Sequence, residues 1–98
     1  MNKWIVTRAY CVGDNAKGMM GIYPSAHDSE EDAFDEMIDL VMYDLSGIKF
    51  TIVRDEWGRG FESYYDEDGI LVASIGPDYA DVDTKDVHAR YIIAEVGF

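Results

Sequence analysis

Most of the side chains that could do chemistry in this chain are carboxylates, and the other reactive groups are few. His27 and His88 are the two histidines, and Cys11 is the single cysteine. His27 stands between Ser25 and Asp28, so a Ser-His-Asp constellation for nucleophilic catalysis can be written down. A triad is recognised by geometry in space, and three near neighbours on one loop rarely reach it, which favours a surface histidine. His88 falls on an alternating segment beside Ala89 and reads as exposed. Cys11 lies in an apolar segment and reads as an inert core thiol that cannot close an intramolecular disulfide.

Metal chemistry has two candidates. Asp66-Glu67-Asp68-Gly69-Ile70 resembles the middle of an EF-hand loop. With Gly69 at the sixth position, Tyr64 and Ile75 would have to supply the first and twelfth ligands, and neither carries a carboxylate. An acidic β-turn is the better account. Asp81, Asp83 and Asp86 could hold calcium weakly, although aspartate-bearing loops of this kind are usually solvated turns. The sequence has no phosphate-cradling glycine loop, no dinucleotide fingerprint and no cysteine–histidine zinc spacing. No cofactor and no enzymatic activity are expected. A small metal-dependent or ligand-binding enzyme using residues 78–86 with His27 or His88 is the lesser alternative.

The carboxylates themselves are clustered. Twenty acids face eight bases over 98 residues, leaving a formal charge of −12. Between 28 and 44 lie Asp28, Glu30, Glu31, Asp32, Asp35, Glu36, Asp39 and Asp44, with no Lys or Arg among them. A second group runs Glu62, Asp66, Glu67, Asp68, Asp78, Asp81, Asp83 and Asp86, interrupted only by Lys85. The eight bases are scattered and form no stripe, so the sequence points away from direct binding to nucleic acid or to an anionic membrane. Basic partners are favoured instead.

The elements that position these groups follow from periodicity. Residues 4–12 are β-branched and aromatic and read as a central strand. Trp4, Val6, Tyr10 and Val12 share one face with Arg8 as the exception, and Ile5, Ala9 and Cys11 lie on the other. Residues 13–27 hold three glycines and a proline and read as a loop whose Met19, Met20, Ile22 and Tyr23 pack back on the core. Residues 28–46 predict an amphipathic helix. Ser29 or Asp28 caps its start, Gly47 follows its end, and Ala33, Phe34, Met37, Ile38, Val41, Met42 and Leu45 recur at three- and four-residue intervals. Strands follow at 49–57, 61–66 and 70–75, linked by turns at Gly58-Arg59-Gly60 and Asp68-Gly69. Gly76-Pro77-Asp78 ends the third, and residues 79–86 read as an aspartate-bearing loop. Residues 87–96 favour a strand, with a short helix capped by Thr84 as the alternative. The expected fold is a single α+β domain over 1–98. One amphipathic helix packs on a four- to five-stranded, mainly antiparallel sheet in the order β-α-β-β-β-β.

Helix geometry turns the acid run into a surface. The pairs Glu31–Asp35, Asp32–Glu36 and Asp35–Asp39 are like charges four residues apart, each costing a few tenths of a kcal/mol where a lysine would gain about as much. Asp44 opposes the helix dipole at its C-terminal end. Acids so spaced lie about 5–6 Å apart on one face, a scale comparable to phosphates along a nucleic-acid strand. Glu31, Asp32, Asp35, Glu36 and Asp39, continued by Asp66, Glu67 and Asp68, are therefore candidate partner-binding residues. Tyr64, Tyr65 and Tyr79 lie among the acids, and Tyr64 and Tyr79 are the candidate anchors. In general character the chain is similar to small acidic proteins of phages and mobile elements that block host defence nucleases, among them anti-CRISPR and anti-restriction proteins. That likeness of type implies an inhibitor of a basic nuclease or other nucleic-acid-binding protein, with nucleic-acid mimicry as one mode of action, and assigns no residue roles. The other reading is a non-inhibitory accessory module whose acidity maintains solubility; a homodimer burying Tyr and Met surface would favour it. The lone cysteine and the absence of any long apolar run point to the cytoplasm.

Overall fold

Among the described residues period-two alternation dominates, and one segment breaks from it to follow the helical period. The computed structural model describes residues 2–12, 21–22, 25–54 and 61–97, the side chains of 10–12 and 21–22 excepted. Within these the strands are β1 (Asn2–Val12), β2 (Gly21–Ile22), β3 (Ser25–His27), β4 (Phe50–Arg54), β5 (Glu62–Asp66), β6 (Leu71–Ile75), β7 (Tyr79–Asp83) and β8 (Val87–Gly97). The helix is α1 (Glu30–Asp44). The sheet runs β2-β1-β8-β7-β6-β5-β4, with β3 paired to β1 beside β2, and every pairing is antiparallel.

The class is α+β as expected, but there are eight strands where four or five were anticipated, and three of them fall where loops were read. β7 carries Asp81 and Asp83, whose acidity suggested a solvated loop. The register sets Asp81 opposite Arg90 and Asp83 opposite His88, so the aspartates occupy the polar alternate positions of a strand while Ala80 and Val82 fill the core. β2 and β3 occupy part of the segment read as a loop at 13–27; they are too short for a period to show. Residues 87–96 are strand. The strand at 49–57 extends only to Arg54 among the described residues. The Gly58-Arg59-Gly60 turn, the packing of Met19, Met20, Ile22 and Tyr23, and the environment of Cys11 lie outside what is described.

The helix begins where the sequence places its cap. Ser29 is extended and its Oγ accepts the Asp32 N–H at 3.1 Å, satisfying one of the first-turn donors. It ends through Leu45 into Gly47, whose φ of +85° is a left-handed conformation that a side chain would strain. One stripe of α1 (Ala33, Met37 and Val41), continued by Leu45 at its C-cap, is buried against β1, β3, β7 and β8, in one core with Val6, Ala80, Val82, Tyr91 and Ile93. Full burial of side chains such as Met37 or Leu45 contributes about 1.5–3 kcal/mol each. Two hairpin turns are held by side chains. Asp66 Oδ1 accepts the N–H groups of Asp68 and Ile70, both at 2.9 Å, around Gly69 at φ +78°. Thr84 Oγ1 likewise accepts from Asp86 and Val87 at 3.2 and 2.9 Å. Among the described residues no helix is long and apolar enough to cross a membrane.

Candidate functional site

The outward side of α1 carries the acid run, and the fold sorts its members. Glu30, Glu31, Asp32, Asp35 and Asp39 are exposed, and among the described residues none of the five has a cationic partner within 4.0 Å. Glu31, Asp35 and Asp39 are successive four-residue steps along one face, and the next step is Tyr43, 78% exposed. From Glu31 to Tyr43 the ladder rises about 18 Å, at roughly 1.5 Å per residue. Tyr43 belongs to this surface although sequence reasoning passed it over; the signal that would have found it is the same four-residue spacing that groups the acids.

The remaining helix acids turn elsewhere. Glu36 faces β3, where its Oε2 accepts from Ser25 Oγ at 2.7 Å and from His27 Nε2. Ser25 Oγ lies 3.4 Å from the same His27 nitrogen. In a hydrolytic triad the histidine spans its two partners with different ring nitrogens, so that the acid orients it while the serine gives up its proton. Here one nitrogen meets both, and the serine hydroxyl donates to the carboxylate. The cluster fastens β3 to the helix and has no activated nucleophile. Asp28 is held by Lys3 of β1, whose hydrogen bond and charge keep its carboxyl below the ordinary range.

Asp44 is buried. Its Oδ1 accepts from Arg8 Nη2 at 2.5 Å and its Oδ2 from the Tyr91 hydroxyl, while Arg8 Nε donates to the same hydroxyl oxygen at 2.6 Å. The guanidinium carbon sits 5.7 Å from the Tyr91 ring centre. Burial, and then the hydrogen bond to Asp44, push the Tyr91 phenol well above its ordinary value. This triad joins the end of α1 to β1 and β8. It accounts for two oddities of the sequence, an arginine on the core face of β1 and an aspartate at the wrong pole of a helix.

The other predicted site residues do not join the helix ladder. Tyr64 is 2% exposed and stacks at 5.1 Å on Phe50, so it is a core residue and cannot anchor a partner. Asp66 is taken up by its turn. Glu67 and Asp68 are exposed at the β5–β6 tip, beside Lys49, where the chain leaving α1 passes. Tyr79 projects from the face of the sheet opposite α1, since its neighbours Ala80 and Val82 are in the core. Asp81 and Asp83 share that opposite face, paired with Arg90 at 2.9 Å and His88 at 2.7 Å. Among the described residues no three His, Cys, Asp or Glu side chains are grouped as metal ligands. No protein-family model matches the chain, and comparison with curated proteins and with solved structures finds no match either.

Proposed function

We propose that this chain is a small acidic binding protein that inhibits a basic, nucleic-acid-handling partner by laying the outer face of α1 into the partner's phosphate-binding groove. The observation that carries this reading is the exposed helix face of Glu31, Asp35 and Asp39, with Asp32 beside them, which has no cationic partner among the described residues and leads to the exposed Tyr43. A row of carboxylates four residues apart gives up helix stability through like-charge repulsion. Its gain is a linear negative surface on the length scale of a nucleic-acid strand, able to displace the ions a basic groove holds. Tyr43 supplies what charge alone lacks, a large rigid apolar contact beside the ladder. On this reading the protein acts as a ligand in the manner of anti-CRISPR or anti-restriction proteins, and not as a catalyst.

The test is capture of partners on the tagged protein, with single-stranded DNA, RNA or salt as competitors, and a matched triple variant Glu31→Lys/Asp35→Lys/Asp39→Lys. The expected result is a nuclease or other nucleic-acid-binding protein that is released by competitor and salt and is lost with the triple variant. A partner retained equally by the triple variant would overturn the model.

A further inference from the structure

The face of the sheet opposite α1 has a character unlike the rest of the molecule. Strand alternation places Ile5, Thr7 and Ala9 of β1, Arg90, Ile92 and Ala94 of β8, and Tyr79, Asp81 and Asp83 of β7 on that face, because Val6, Tyr91, Ile93, Ala80 and Val82 between them are buried. The register lines up Thr7, Ile92 and Tyr79 in one cross-strand row and Ile5 with Ala94 in the next. Ile92 is 47% exposed and Tyr79 36%, with Val96 at 37% further along β8. The Tyr79 ring lies against Gly76, where a Cβ would collide with it. The carboxylates on this face also differ from those of α1: Asp81 is paired with Arg90, and Asp83 lies 2.7 Å from His88 Nδ1.

We propose that a second copy of this chain packs on this face, sheet against sheet, about a two-fold axis through the Thr7–Ile92–Tyr79 row. Two features select a second copy. An interface about a two-fold axis must complement itself, and this face offers a largely apolar row flanked by the Arg90–Asp81 ion pair and the His88–Asp83 hydrogen bond. Two chains of formal charge −12 repel each other, so contact is favourable only where the local charge is balanced. Balance is found here and is absent from the helix side. Size is adequate as well. The molecule is a slab of 45 × 37 × 17 Å, and half of its broad face would bury about 800 Å² per partner, the usual extent of a specific interface. The resulting dimer turns both α1 ladders outward, leaving each free. The inference does not depend on what the helix binds.

Sedimentation equilibrium of the purified full chain, from micromolar to hundreds of micromolar, tests it alongside three single variants. The wild type is expected to dimerise. Ile92→Lys and Tyr79→Lys, both at exposed positions, are expected to weaken the dimer about 100-fold or more, with circular dichroism and melting temperature reporting that they fold. Tyr43→Lys, on the outer side of α1, is expected to leave it unchanged. A chain that stays monomeric throughout overturns the proposal. So does a dimer indifferent to Ile92→Lys and Tyr79→Lys, or one lost with Tyr43→Lys alone.

Discussion

Asp44 closes α1 with a negative charge at the negative pole of the helix, an arrangement that costs about 0.3–1 kcal/mol when nothing opposes it. Arg8 and the Tyr91 hydroxyl oppose it directly, in a place where an unpaired carboxylate would cost far more. Tyr91→Phe removes one member and leaves the ion pair, so a loss of about 1–3 kcal/mol is expected at neutral pH. The same variant has a signature in alkali. The folded state holds the Tyr91 phenol above its ordinary value of 10.0, whereas the unfolded chain ionises near it. The stabilising contribution is therefore complete below pH 10 and is lost as pH rises through the folded value, at about 1.4 kcal/mol per pH unit. Urea titrations from pH 7 to 11 should show the wild type losing stability more steeply than the phenylalanine variant. Parallel slopes would mean that the phenol is not held protonated by the fold. Arg8 and Asp44 each stand out in the sequence as misfits, but their pairing does not, because 36 residues and a change of element separate them.

Element by element, α1 was the most readable part of the chain, since its apolar stripe, cap and terminal glycine agree with one another. β7 was hidden by composition: Tyr79-Ala80-Asp81-Val82-Asp83 alternates as a strand should, yet its aspartates suggest a loop until Arg90 and His88 are seen opposite them. β3 is three residues long and has no period to detect. Of the predicted binding residues, Glu31, Asp32, Asp35 and Asp39 share one exposed face, while Tyr64 is in the core because its aromatic neighbour Phe50 comes from a strand whose register the sequence did not reveal. The exposed ladder makes an opposed prediction for stability and binding. Asp35→Lys turns the repulsive pairs with Glu31 and Asp39 into attractive ones, so it should stabilise the fold by about 0.5–1 kcal/mol while weakening partner capture. Thermal melts and binding titrations of the same preparation check both signs. A variant that gains stability and keeps its partner would remove the ladder from the interface.

At the scale of the molecule, the described residues divide charge between two layers: unpaired carboxylates on the outer face of α1, and carboxylates held by Arg90 and His88 on the opposite face of the sheet. Self-repulsion among the helix acids is long-ranged at low ionic strength and shrinks with the screening length, about 10 Å at 0.1 M salt and about 3 Å at 1 M. Raising salt should therefore raise the melting temperature, by about 4–8 °C for each kcal/mol recovered in a domain of this size. Partner affinity should fall over the same range. Calorimetry and binding isotherms along one salt series test the pair, and two trends of the same sign would contradict the electrostatic account.

The β1–β8 pairing runs through eleven residue pairs between the two longest strands, joining Asn2–Val12 to Val87–Gly97 in the interior of the sheet. During synthesis, β1 emerges before the other described elements and must wait for all of them before its main hydrogen-bonding partner exists. Loop closure of that span is the slowest kind of contact to make, and it joins the β2–β3 side of the sheet to the hairpins from β4 to β7. Those hairpins pair only with sequence neighbours and are free to form on the ribosome. Cooperative folding is thus delayed until residues 87–97 have cleared the exit tunnel, and until then β1 keeps one long unpaired edge exposed.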